Sequence, residues 1–230
     1  DATGTLISGG RHMGVNLESV PVQSWYNTND RQVYLRQQTV EFDRYLGQLP
    51  SSHAELVTVT ANIPGCIDQH CWDTVDRAVA MNWLATHTLD NSPASGTVLT
   101  DRSIRWGRFD VEQAQAGSFT SFTFDINAPS NTLELREPEN LTQVTANVWS
   151  LGLRADLALP MKLRSAPGQP VVIRLTGWAT APSRVERNTT AIPADCSATG
   201  QTIRWCYDAA TQSILIVESS ANSASWLIQP

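Results

Sequence analysis

Lysine is almost missing: of the sixteen basic residues only Lys162 is one, and the rest are arginine. Arginine is the cation better suited to desolvated and interfacial contacts, although genomic base composition produces the same bias. With 22 acidic residues against 16 basic ones the net charge is −6. That excludes a duplex-binding protein held by a broad basic face, while leaving room for a small local patch. No apolar run approaches the roughly 18 residues that a spanning helix needs, so the sequence holds no membrane-crossing helix. No G-x-S-x-G elbow occurs, and His12, His53, His70 and His87 all fall in loop-like segments with no serine or cysteine elbow beside them. Gly9-Gly10 leads into no strand-to-helix switch, so no phosphate-cradling loop and no cofactor are expected. No signal peptide is visible, and a chain that starts at Asp1 rather than Met reads as a processed product.

Cysteine is scarce as well, with four residues in two close pairs, Cys66/Cys71 and Cys196/Cys206. Each spacing is able to close a local disulfide, but four cysteines allow three pairings and spacing does not choose among them. A zinc site would show tighter C-x2-C spacing with further ligands in register. His70 beside Cys71 is the only neighbour of that kind, so no metal is expected.

What is present is period-two alternation. Thr120, Phe122, Phe124 and Ile126 share one face against Ser121, Thr123 and Asp125, and Val144, Ala146 and Val148 share one against Thr145 and Asn147. These are half-buried strands, with the acidic, Pro-broken segment between them reading as loop. Val57, Val59 and Ala61 mark a strand over Glu55–Asn62, and Val171, Ile173 and Leu175 another over Val171–Ala179. One or two strands are expected within Trp25–Tyr45, from Val33/Leu35 and Val40/Phe42. Val79, Met81 and Trp83 give a return strand over Arg77–Leu84, with a helix over Thr74–Ala85 as the other reading. A final hairpin pairs Gln201–Cys206 with Ser213–Glu218. The fold class expected is an all-β, jelly-roll (Greek-key) sandwich with long loops and a C-terminal hairpin extension. Its expected divisions are an N-terminal arm over 1–24, the jelly-roll domain over 25–187 and the extension over 188–230, packed on the same domain.

Two clusters are able to carry chemistry. Asp68, Asp73 and Asp76 lie in one loop around Trp72 and before Arg77, and paired carboxylates are what sugar and amide hydrolases place about a scissile bond. Loop aspartates more often cap turns. Arg102, Arg105 and Arg108 around Trp106 offer phosphate contacts with an indole for stacking, as candidate RNA contacts, against the alternative of solvated or paired surface charge.

The stretch Gly117-Ser118, Phe122-Thr-Phe-Asp-Ile126, Pro129, Glu134, Glu137 and the strand from Thr142 resembles the small coat proteins of picorna-like plant viruses, the comovirus, nepovirus and cheravirus group. Val57-Thr-Val-Thr-Ala-Asn-Ile-Pro-Gly65, Trp72-Asp73 and Arg77–Trp83 follow in a compatible order. The resemblance implies a capsid protein of a virion, not an enzyme, that assembles with related jelly-roll subunits into an icosahedral shell around genomic RNA, with no membrane partner. The loop Cys66-x4-Cys71 with Trp72-Asp73 and Asp76-Arg77 is similar to the N-terminal domain of bacterial F-type peptide N-glycosidases. That likeness implies the alternative of a secreted, glycan-active jelly roll with Asp73 or Asp76 as the catalytic acid. The order after Cys71 departs from that pattern, and the strand ending at Trp149 lacks the partner glutamate.

Overall fold

The computed structural model describes residues 13–18, 20–49, 53–87, 93–165, 169–197, 202–220 and 222–230, and the chain divides into two compact units, residues 1–91 and 92–230. In the first unit β1 (Val22–Asn27) and β2 (Ala54–Val59) pair in parallel, from Val22 opposite Ala54 to Asn27 opposite Val59. Parallel neighbours cannot be joined by a tight turn, and α1 (Val33–Leu46) makes the crossover. The strands expected within Trp25–Tyr45 are therefore corrected: strand ends at Asn27, and Leu35, Thr39, Phe42 and Leu46 fall at helical spacing in a segment rich in helix-forming Arg, Gln, Glu and Leu. The structure likewise takes the helical reading farther on, with α2 (Arg77–Ala85) where a return strand was expected.

Among the described residues of this unit Leu46 is the only buried apolar side chain, and Asn27 and Asp30 are the buried polar ones. A core this thin leans on covalent closure, which the Cys66–Cys71 disulfide supplies, its Cα atoms 6.2 Å apart. Met13–Leu17 forms a 3-10 turn. Residues 1–12 and 19 of the expected arm, His12 among them, lie outside the described residues.

The second unit is a β-sandwich. Its strands are β3 (Ser95–Thr100), β4 (Ile104–Trp106), β5 (Phe109–Gln113), β6 (Thr120–Asn127), β7 (Thr132–Glu139), β8 (Leu141–Asn147), β9 (Leu159–Leu163), β10 (Val171–Thr176), β11 (Arg184–Arg187), β12 (Thr190–Ala191), β13 (Arg204–Asp208), β14 (Ser213–Glu218) and β15 (Ala224–Gln229). One sheet runs β13-β14-β10-β8-β5-β4 and the other β12-β11-β15-β9-β7-β6-β3. From β7 to β10 the chain changes sheet at every step, so β9 lies parallel beside β7 and β10 parallel beside β8. The expected sandwich is present, with both sheets mixed where a jelly roll is antiparallel throughout.

Inward residues of each strand meet between the sheets. Phe122, Phe124 and Ile126 from β6 and Leu159, Met161 and Leu163 from β9 face Phe109 and Val111 from β5 and Ile214 and Ile216 from β14, all buried in one cluster. The Phe109 ring stands edge-on to Phe122, with centroids 5.6 Å apart, and tilts against Phe124 at 4.9 Å. Each such side chain contributes about 1.5–3 kcal/mol by leaving water.

Three expectations need correction in this unit. The acidic segment after Asn127 is strand β7, whose Leu133 and Leu135 point inward while Glu134 faces outward. Its register against β6 shifts by one residue between Ser121 and Thr123, where Glu137 takes φ of 52° ahead of Pro138. A bulge at that point accommodates a proline that cannot donate to the ladder. Residues 188–230 are no extension: β14 lies between β13 and β10, and β15 between β11 and β9. The division between units also falls at 91/92, inside the span 25–187 expected as one domain.

Candidate functional site

The turn that follows β1 is built from short polar side chains. Asn27 Oδ1 accepts from the Asn29 N–H at 3.0 Å, its Nδ2 donates to the Ala61 carbonyl at 2.9 Å, and Asp30 Oδ1 accepts from the Gln32 N–H at 2.7 Å. Asn and Asp favour such turns because their side chains bond their own backbone two residues on. Across from it the loop Ile63–Val75 is fixed by its disulfide and by Gln69, which accepts from the Ile63 N–H at 2.6 Å and donates to the Cys66 carbonyl. Gln32 ties the two loops together, donating from Nε2 to Asp68 Oδ2 at 3.2 Å. That bond, with a second from the His70 N–H, holds the Asp68 carboxyl below the usual carboxylate range.

Between them lies a cleft of about 300 Å³, lined by Trp25, Tyr26 and Asn27 from β1, Asp30, Arg36 from α1, and Gln69, His70 and Thr74 from the disulfide loop. Within that lining His70 Nδ1 meets Asp30 Oδ2 at 2.7 Å. The Asp30 side chain is only 6% exposed and that of His70 49%. A carboxylate only accepts, so Nδ1 carries the hydrogen and a neutral ring keeps its lone pair on Nε2. Arg36 Nη1 donates to the Thr28 carbonyl at 2.6 Å, bringing its guanidinium to the same cleft. The Thr74 hydroxyl is shielded from solvent and has no hydrogen-bond partner.

The residues expected to carry chemistry stand elsewhere or do other work. Asp76 caps α2, Oδ1 accepting from the Ala78 N–H at 2.9 Å and the Val79 N–H at 3.1 Å. Asp73 is exposed on the 3-10 turn Trp72–Thr74 and is not part of the cleft lining. Arg102 pairs with Asp101 at 2.8 Å, and Arg108 donates to the carbonyls of Ser150 at 3.1 Å and Pro93 at 2.6 Å. Trp106 packs edge-on against Phe124, while Arg105 is exposed on β4. Two of the three arginines are thus engaged within the chain, and the half-buried indole packs partly against the core. Both local cysteine pairs are closed as disulfides, Cys196–Cys206 with Cα atoms 5.0 Å apart. Among the described residues no group of three or more His, Cys, Asp and Glu side chains is placed to hold a metal.

No protein-family model matches the chain. No curated protein matches it either. Among solved structures it is similar to the GH31 dextranase of Flavobacterium johnsoniae complexed with glucose, at 10% identity over 60% of this chain and 16% of that one, with a TM-score of 0.30. A mutant of the same dextranase complexed with isomaltotriose gives 7% identity over 62% of this chain and 25% of that one, with a TM-score of 0.28. The matched part thus spans at most a quarter of those chains, and likeness at this level carries no argument about fold or function.

Proposed function

We propose that this chain is an exported glycan-binding protein and that the cleft of its first unit is the saccharide site. The observation that carries the reading is the lining of that cleft, in which the aromatic residues Trp25 and Tyr26 occur together with the hydrogen-bonding residues Asn27, Arg36, Gln69 and His70. A sugar ring has an apolar C–H face and a rim of hydroxyls, so it is held by an aromatic surface beside directional donors and acceptors. Two closed disulfides support an oxidising compartment, where such bonds persist. Calorimetric titration with gluco-, xylo- and N-acetylglucosamine oligosaccharides tests the reading. At least one series binds, and Trp25→Ala weakens it about tenfold, the equivalent of roughly 1.4 kcal/mol of ring contact. Absence of binding by all three series overturns it.

A second reading, a coat subunit assembling around RNA, is favoured by one observation: Ile67, Val79, Met81 and Leu84 are exposed, and α2 buries none of its residues. Exposed apolar surface of this kind marks an interface. Sedimentation of the native protein, run beside the titration, separates the two: a species near 25.2 kDa agrees with the glycan reading, and shell-sized particles with the coat.

A further inference from the structure

We infer that the cleft hydrolyses ester groups on the saccharide it binds, with His70 as general base and Asp30 as the residue that positions it; the identity of the substrate rests on the glycan reading above. The geometry is a buried carboxylate locked at both oxygens. Asp30 Oδ1 is held by the Gln32 N–H at 2.7 Å and Oδ2 by His70 Nδ1 at 2.7 Å. A carboxylate bonded to Nδ1 fixes the imidazole tautomer and orientation and stabilises the imidazolium that forms when Nε2 takes a proton. Such a pair is able to act on a ligand only where the ring is accessible. Here the carboxylate is buried and the ring is half exposed on a cleft large enough for a small ligand. The loop that carries His70 is also fixed, at Gln69 and by the Cys66–Cys71 bond, so the base is held rather than mobile.

The donor set selects an acyl substrate over a glycosidic bond. Glycoside cleavage uses two carboxylates flanking the scissile bond. Among the described residues of the cleft lining, Asp30 is the only carboxylate, and it is already committed to His70. In the step proposed, Nε2 removes a proton from water as the water oxygen bonds to the acyl carbon. Negative charge gathers on the acyl oxygen, and the Arg36 guanidinium in the same cleft is the group of matching charge. The acyl C–O bond then breaks, and the proton held on Nε2 passes to the departing sugar oxygen. The products are a free carboxylic acid and a free hydroxyl, with no redox change.

The test measures acetate release from O-acetylated xylo-oligosaccharides and from p-nitrophenyl acetate, beside calorimetric binding of the unacetylated oligosaccharides. The intact protein releases acetate. His70→Gln lowers kcat by about 10²–10⁴-fold, the usual range for loss of a general base, a loss far larger than any accompanying change in saccharide affinity. Asp30→Asn lowers kcat with KM unchanged, a split that a merely structural role would not give. Because Asp30 is buried, His70→Gln is the decisive variant should the Asn protein fail to fold. Saccharide binding without acetate release, or release unaffected by His70→Gln, overturns this inference and leaves the glycan reading standing. Release from p-nitrophenyl acetate that depends on His70, without saccharide binding, overturns the glycan reading and leaves the base in place.

Discussion

A carboxylate in a loop is chemically silent until its partners are known. Asp76 spends Oδ1 on two backbone N–H groups of the first turn of α2, so its loss is a capping loss. Asp76→Ala is expected to cost about 1 kcal/mol of stability, read by denaturant titration, and to leave saccharide affinity unchanged. A variant that abolished binding while remaining folded would return Asp76 to the site. Asp30 differs through its neighbours, and those were not legible in the sequence. Its partner His70 lies 40 residues away, and no short-range spacing announces the contact. What was legible was the loop: Cys66, Asp68, His70 and Cys71 stood out as a polar, closable segment, and that segment supplies Gln69, His70, Cys71, Thr74 and Val75 to the cleft. The rest comes from Trp25–Asp30 and from Leu35, Arg36 and Thr39 of α1; the Asn and Asp residues of the turn look like ordinary turn chemistry and are that in their backbone bonds, apart from the one carboxylate oxygen that meets His70.

Among the elements, strands with one clean inward face were readable and those with mixed faces were not. β6, β8 and β10 alternate buried and outward residues as expected. β7 hides Leu133 and Leu135 among glutamates and carries Pro138, so it resembles a loop until the bulge is seen. α1 is concealed for the opposite reason, since Val33/Leu35 and Val40/Phe42 imitate strand alternation over two short windows. The same helix carries a cost. Asp43 Oδ1 is shielded without a hydrogen-bond partner, and burial pushes its carboxyl pKa up. A raised folded value means that the native state holds the proton more tightly than the unfolded chain. The penalty is therefore absent below the ordinary carboxylate pKa of about 4 and is fully present once pH exceeds the raised value. Asp43→Asn removes the ionisation, so the expected outcome is a higher thermal midpoint at pH 7 with little change at pH 3. Equal effects at both pH values would show that charge is not the cause.

Across the whole sandwich one buried ion pair joins the two sheets. Glu218 ends β14 in one sheet and is fully buried. Its carboxylate accepts from Arg187 Nε at 2.8 Å and Nη2 at 3.1 Å on β11, and from Trp226 Nε1 at 2.9 Å on β15, both in the other sheet. The Ser220 N–H completes the set at 2.8 Å. A buried pair contributes little beyond well-packed apolar residues, but removing one partner strands a charge in a low dielectric. Arg187→Ala is accordingly expected to cost about 3–5 kcal/mol, a drop on the order of 10 °C in the thermal midpoint of this unit. Adding Glu218→Gln to an Arg187→Met background discharges the site while keeping an acceptor for Trp226, so the pair of changes costs less than the sum of the two alone. A cost below about 1 kcal/mol for Arg187→Ala would mean that the pair behaves as a surface contact. Joining the sheets would then fall to the apolar packing, in which Trp226 and Ile228 of β15 and Ile214 and Ile216 of β14 reach the same core, and to neutral contacts such as the bond from Trp205 Nε1 to the Ile192 carbonyl.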